Sequence, residues 1–521
     1  MSESVSGSEQ EHWSGKAAFI LAAVGSAVGL GNLVRFPSVA GSAGGGAFVL
    51  VYFLCVVLIA LPVLIAELFI GRRGGGSAVS AVARLAKAEG NSSMWSLFCW
   101  IGMIASFMIV TFYSVLAGWV LDFVVLSFSD LMSNISANGI GAISNGAFAG
   151  MDDEEITGQL GALLESPVKM IVMLAIFNVI TVFIVSRGVK GGIETAAKVM
   201  MPAFFALLLV LTVFSIINGD AGSALSFLFK PDMGKFMATL SDGSILLQAV
   251  GQAFFSLSLG SAMMITYGLY MGRDQDLPGS ARIVAVADTS VALIAGLAIF
   301  PIVFAAGLNP DGGLTLLFST FPLALHQIPF GGVLAIAIFL MTLFAALTSA
   351  IALLEVAVAF ADGDLNLTRE QRKRRRLVWS VLLGILMFVI GVGHVLSQVP
   401  TSVQDNFFNT WTPLDFIPMF EGKTLLDTFD KLSGDVLLPL GGFLTAIFAG
   451  WVMSSSSARE EIRFNSERTF RIWRFLVRWV CPLFVGLVLI YAVIVAPLRA
   501  QMEARGSDAK QTIEEMAAPK D

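Results

Sequence analysis

Long apolar blocks recur along the whole chain, separated by short stretches rich in charge, glycine or proline. Each block approaches the ~20 residues that a helix needs to cross about 30 Å of hydrocarbon. The blocks are too long and too little alternating for barrel strands, and only helices or closed barrels satisfy every backbone group in lipid. The pattern predicts an all-α integral membrane protein with about eleven spans. They fall near residues 16–39, 46–71, 95–127, 168–187, 193–217, 241–271, 280–306, 333–361, 376–397, 428–454 and 470–496.

Composition agrees: 56% of residues are hydrophobic and 13% charged, against about 25% charged in soluble domains. The net charge of −6 says less than where the charges sit. With the N-terminus in the cytoplasm, one set of loops holds Arg72, Arg73, Arg84 and Lys87, Arg187 and Lys190, Arg273 and Arg282, the run from Arg372 to Arg376, and Arg459, Arg463 and Arg468. The opposite segment 128–167 has no basic residue and carries Asp152, Asp153, Glu154 and Glu155. This is the positive-inside asymmetry. It predicts a plasma-membrane protein with a cytoplasmic segment 1–15, and the odd span count puts the tail 497–521 outside. That polar tail reads as unstructured. No cleavable signal peptide is evident, because the first apolar stretch continues as a full span. No basic run with interleaved aromatics supports nucleic-acid binding. Cys55, Cys99 and Cys481 lack metal-ligand spacing and read as packing thiols. The histidines, His12, His326 and His394, form no cluster, and no nucleophile–base pair points to an enzyme.

A second pattern marks the site. The first span is interrupted at Gly25-Ser26-Ala27-Val28-Gly29-Leu30-Gly31-Asn32, the sixth at Ser256-Leu257-Ser258-Leu259-Gly260-Ser261. These spans hold corresponding positions in two halves of five, and such interruptions point to a transporter's central binding site. A glycine costs about 1 kcal/mol in a helix interior, so both spans are expected to unwind at mid-membrane. Freed carbonyls there can bind Na⁺, and half-helix N-termini favour a carboxylate. Gly25 and Gly29 alone also fit simple close packing of helices.

The stretch from Gly25 to Pro37 resembles the first-helix signature of the neurotransmitter:sodium symporter family. Gly44-Gly45-Gly46-Ala47-Phe48, Gly251-Gln252-Ala253-Phe254-Phe255-Ser256-Leu257-Ser258 and Ala346-Leu347-Thr348-Ser349 follow in the family's order. The resemblance implies two inverted five-helix repeats, 16–217 and 241–454, with an extra helix at 470–496. It implies a sodium-coupled importer of an amino acid, working by alternating access, with two sodium sites. The first would use Ala27, Asn32, Ser256, Asp288 and the substrate carboxylate; the second Gly25, Val28, Ala345, Thr348 and Ser349. All-oxygen ligation suits a hard cation, although Thr348 and Ser349 alone could simply bond back to their own helix. The family's substrate site maps onto Ser26, Ala27, Gly29, Leu30, Gly31, Ile109, Tyr113, Phe255, Ser256, Ser258, Ser261, Ser349 and Leu353. Tyr113 would donate to the substrate carboxylate and Phe255 would close over the ligand. Monoamine carriers of the family place aspartate where this chain has Gly29, which favours a substrate that brings its own carboxylate. Small Ser26 and Ser261 beside apolar Ile109 and Leu353 leave room for a hydrophobic or aromatic side chain, while two hydroxyls would equally serve a polar one.

An ionisable residue deep in a span is a functional candidate. Asp288 lies roughly 12 Å inside the seventh span; capping a kinked helix is its structural alternative. The resemblance places it at the first sodium site, where it would supply the negative charge that chloride supplies in relatives. Tyr52, Gln252 and Ser256 match parts of the chloride site, yet chloride-independent transport is expected. Glu67 and Glu355 either pair with loop arginines or belong to an inner polar network. Arg35 and Asp430 match the outer gate together with Phe255. The inner gate departs: Gln10 and Gly363 stand where an arginine and an aspartate are expected, so a different latch is expected, using Trp13, Asp362 or Asp364. The absent cysteine pair in 128–167 and the absent twelfth span favour a prokaryotic member, and leave oligomeric state open. A non-transporting amino-acid sensor or a channel on the same scaffold is the alternative function. The expected partners are an amino acid and membrane lipid.

Overall fold

The computed structural model describes residues 12–498 except 235, 238–243, 311, 312, 314 and 364–366, together with residue 502. Gln10, Asp364 and most of the tail lie outside the described residues. Among the described residues regular structure is entirely helical. Nine helices are long and apolar enough to cross a membrane, ten when one bent pair counts as a single crossing. That pair is α1 (Lys16–Ala27) and α2 (Gly31–Ser42), bent by 52°. The others are α3 (Gly46–Gly74), α4 (Ser93–Asn138), α5 (Pro167–Ser186), α6 (Val189–Asn218), α9 (Leu277–Ala305), α10 (Gly331–Asp362), α11 (Glu370–Gln398), α12 (Leu425–Val452) and α13 (Glu467–Leu498). Between α6 and α9 stand two shorter helices, α7 (Ser244–Ser256) and α8 (Met263–Leu269). Neither is long enough to cross alone, and the predicted sixth span corresponds to both together.

Burial separates centre from rim. The most apolar windows of α4 and α10 are 72% buried, whereas those of α5 and α13 are 33% and 22% buried. Helices α4 and α10 pack on each other, α10 also packs on α1 and α6, and α9 packs on the same two, so these helices form the scaffold around the breaks. Leu209, Val213, Leu382 and Leu386 on the peripheral helices are exposed, which in water would be unfavourable and in lipid is not.

The stretch 128–167 departs from the predicted loop. Helix α4 continues to Asn138, and a second helix spans Asp153–Leu164. Its start is a capping box: Glu155 N–H donates to Asp152 Oδ1 at 2.9 Å and Asp152 N–H to Glu155 Oε2 at 3.2 Å. The acidic cluster that the charge pattern predicts to lie outside therefore also starts a helix, since carboxylates suit helix N-termini. All three cysteines are free and buried.

Candidate functional site

The chain leaves helical geometry after Ala27: Val28 is extended at φ −75°, ψ 110°. It re-enters a helix at Gly31. Opposite, residues 257–262 are non-helical between α7 and α8, with Ser258, Gly260 and Ala262 at φ 52°, 78° and 59°. Two neighbours fix this second break. Gly260 N–H donates to Glu67 Oε1 at 2.7 Å. A Cβ at Gly260 would stand 2.0 Å from Leu438 O, and one at Gly441 would stand 2.1 Å from Gly260 O. Glycine is thus required on both sides of the α12 contact. Glu67 is buried and, among the described residues, has no arginine within 4.0 Å; its carboxylate serves the backbone of the break instead.

The two breaks enclose a narrow cavity lined by Ser26, Ala27, Gly29, Leu30, Gly31, Ile109, Tyr113, Phe255, Ser258, Ser261, Ser349, Leu353 and Leu438. Every lining residue except Leu438 is among the candidates from sequence. Ser256, the remaining candidate, faces the acidic cluster beside the cavity instead. Leu438 was missed because nothing in its apolar surroundings on α12 distinguishes it; only the packing of Gly260 against Gly441 brings it in.

Inside the cavity, Leu30 N–H donates to Tyr113 Oη at 3.2 Å. A Cβ at Gly29 would stand 2.6 Å from Ser349 Oγ and 2.9 Å from Tyr113 Oη, so this position has no space for a side chain. Two of the four pocket serines direct their protons to nearby backbone of their own segment: Ser26 Oγ donates to Ala23 O at 2.9 Å and Ser261 Oγ to Ser258 O at 2.5 Å. Ser261 Oγ also accepts from Met263 N–H at 3.3 Å.

Beside the cavity lies a buried oxygen-rich cluster. Asn32 Nδ2 donates to Ser256 Oγ at 3.0 Å, Asp288 O at 3.2 Å and Asp288 Oδ1 at 2.8 Å. Ser256 Oγ lies 2.8 Å from both Asp288 carboxylate oxygens, and its single proton can serve one at a time. Asn32 Oδ1 accepts from Gly29 N–H at 3.1 Å, which ties the cluster to the break in α1–α2. Asp288 is therefore bonded across three helices rather than capping its own. Gln252 Nε2 donates to Gly31 O at 2.8 Å.

On the other side of the break the hydroxyl pair divides. Ser349 Oγ lies 3.3 Å from both Ser26 O and Val28 O. Thr348 Oγ1 bonds back to Phe344 O and Ala345 O, each at 3.0 Å. A Cβ at Gly25 would stand 3.3 Å from Thr348 Cβ, so α1 and α10 approach closely here. Ser349 reaches across the helices; Thr348 satisfies itself within one.

Toward the predicted outer side, the Arg35 guanidinium carbon lies 4.9 Å from the Phe255 ring centroid. Among the described residues no ion pair within 4.0 Å joins Arg35 to Asp430. Toward the inner side, Trp13 N–H donates to Tyr270 O at 3.0 Å and its indole Nε1 to Tyr267 O at 3.2 Å. Ser14 N–H donates to Glu194 Oε2 at 3.0 Å, Ser14 Oγ donates to Oε1, and Lys198 pairs with the same carboxylate. Tyr270 Oη donates to Glu355 Oε1 at 2.8 Å, and Arg376 pairs with Oε2. Glu355 thus has both a loop-end arginine and a polar network. Ser14 and Glu194 were not singled out from sequence, because a serine and a glutamate 180 residues apart carry no local signal.

The family profile described as "Sodium:neurotransmitter symporter family" matches residues 10–138 and 154–420. The chain is 36% identical over 487 residues to an uncharacterised sodium-dependent transporter of Bacillus subtilis, YhdH, covering 92% of this chain and 98% of that one. It is 30% identical over 494 residues to a sodium-dependent transporter of Methanocaldococcus jannaschii, covering 92% and 90%. The crystal structure of MhsT in complex with L-phenylalanine superposes with a TM-score of 0.78 at 35% identity, covering 93% of this chain and 100% of that one. With its all-helical membrane architecture and a cavity between two broken helices, this chain belongs to the sodium:neurotransmitter symporter family.

Proposed function

We propose that this chain imports a hydrophobic or aromatic amino acid together with Na⁺, independently of chloride and by alternating access. The observation that carries the substrate class is the state of Ser26 and Ser261, two of the pocket's four serines. Their protons are committed to Ala23 O and Ser258 O, so neither donates into the space they share with the apolar Ile109, Leu353 and Leu438. A substrate side chain with an acceptor there would leave it unpaired, at a cost of about 1–3 kcal/mol. MhsT, similar over nearly its whole length, is described with L-phenylalanine bound.

The substrate's carboxylate is placed at Leu30, Gly31 and the Tyr113 hydroxyl, where backbone N–H groups and a phenol can meet it. Asn32, Ser256, Asp288 and Ala27 O then hold one Na⁺, with the Asn32 amide turning its oxygen to the ion. Gly25 O, Val28 O, Ala345 O, Thr348 and Ser349 hold a second, for which Thr348 must release a carbonyl of its own helix. Hard oxygen ligands suit Na⁺ at both. Asp288 supplies fixed negative charge, which makes a bound chloride redundant.

The halves 16–217 and 241–454 rock about these breaks. Arg35, Phe255 and Asp430 close the outer side, while Trp13 and Ser14 close the inner side through α8 and α6. The protein sits in the plasma membrane with its N-terminus cytoplasmic and its C-terminus outside. A thermal-shift series with the twenty amino acids tests the reading. Phenylalanine, tryptophan, tyrosine or leucine should raise Tm in sodium and not in potassium. Stabilisation by polar amino acids alone, or equally in potassium, would refute it.

A further inference from the structure

We propose that the face shared by the ends of α12 and α13 binds the phosphate of an anionic phospholipid in the inner leaflet. Three of the four arginines of α13, Arg471, Arg474 and Arg478, follow one another at helical spacing. None has a carboxylate within 4.0 Å among the described residues. Arg474 spends Nη1 and Nη2 on the carbonyls of Ala449 and Met453, both at 2.7 Å, and this anchors α13 to the end of α12. Arg478 has only aromatic partners: its guanidinium carbon lies 4.1 Å from the Trp451 ring and 6.0 Å from Trp479. Arg471 is exposed. The one carboxylate on this side that bonds to the turn after α12, Glu89, accepts from Ser454 Oγ at 3.1 Å and pairs with none of them.

The occupant follows from charge and position. Trp451 and Trp479 are 47% and 54% exposed and meet edge to face at 4.7 Å, an amphipathic pair of the kind found at the lipid headgroup level. Trp451 is held by its indole donating to Arg478 O at 2.9 Å, so the aromatic wall is fixed before a ligand arrives. Arg478 sits eleven residues past Glu467, about 16 Å along the axis. Helix side chains lean toward the N-terminus, which in the orientation proposed above is the cytoplasmic side. The guanidinium groups of Arg471 and Arg478 therefore snorkel toward inner headgroups, Arg478 through its two Nη groups because its Nε is buried, while Arg474 stays committed to backbone; paired Nη donors suit a bidentate phosphate. A zwitterionic lipid offers the same phosphate with its charge offset; an anionic one does not. The inference rests on the orientation proposed above and is independent of the transported substrate.

Native mass spectrometry of the full-length protein, presented in detergent with phosphatidylglycerol or phosphatidylcholine, tests it. Wild type should retain phosphatidylglycerol in preference to phosphatidylcholine. Arg478→Gln should lower that retention about fivefold, the worth of one juxtamembrane charge, and Arg478→Lys, which keeps the charge but loses the planar fork, should fall between that variant and wild type. Arg471→Gln, which removes an exposed side chain and no internal bond, should lower it as well and guards against misfolding of the first variant. Millimolar inorganic phosphate should not displace the lipid. Equal retention of both lipids by wild type, unchanged retention in both glutamine variants, or displacement by free phosphate would overturn the proposal. So would a loss of dimer mass, rather than of lipid, in Arg478→Gln, since that assigns the face to a second copy of the chain.

Discussion

A Cβ on residue 29 would stand 2.6 Å from Ser349 Oγ and 2.9 Å from Tyr113 Oη, so one methyl group tests the pocket's closeness. Gly29→Ala should weaken sodium-dependent amino-acid binding by roughly 1–3 kcal/mol, the cost of overpacking, or about five- to 150-fold in Kd. Equilibrium binding of a labelled substrate reads this; unchanged affinity would mean that Tyr113 and Ser349 are not the pocket wall. Asp288 carries a different prediction. Its carboxylate is bonded by Asn32 and Ser256, and Asp288→Asn should either abolish uptake or make it chloride-stimulated. Uptake by the variant at wild-type rate without chloride would remove Asp288 from its assigned role. At this scale the sequence was most informative where a residue type was chemically out of place, as with an aspartate inside a span. It was silent on Leu438, whose role depends on which helix the break happens to touch.

Helix ends, more than helix bodies, decide how the elements cooperate. Trp13 and Ser14 join the start of α1 to α8 through Tyr267 and Tyr270, and to α6 through Glu194. Of the residues named from sequence for an inner latch, Trp13 takes part in this contact. Ser14→Ala keeps the backbone N–H bond to Glu194 and removes the hydroxyl one. A hydrogen bond to a charged group contributes about 1.5 kcal/mol, so amides of residues 15–24 should exchange roughly tenfold faster. Hydrogen-exchange mass spectrometry checks this, and unchanged exchange would assign the latch to Trp13 alone. The crossings themselves were legible because apolar length is a strong signal. The helix at Asp153–Leu164 was not, since its capping box reads equally well as an acidic loop until its hydrogen bonds are seen. The pair α7 and α8 illustrates the converse. A continuous apolar run from Ile245 to Leu269 hides a non-helical segment at 257–262, and only its small residues betray it.

For the whole molecule, fold and family are settled by the match to MhsT and the sodium-dependent relatives, while coupling remains the central claim. The two sodium sites proposed above flank the cavity proposed for the amino acid, and linkage between ligands so placed is reciprocal. Sodium should therefore tighten amino-acid binding, and the amino acid should tighten sodium binding by the same factor. The direct measurement is uptake of labelled phenylalanine into proteoliposomes with sodium outside, potassium inside and gluconate as the only anion. The account predicts accumulation above the external concentration that collapses when the sodium gradient is dissipated. Equilibration without accumulation, or accumulation that appears only when chloride is restored, would contradict it.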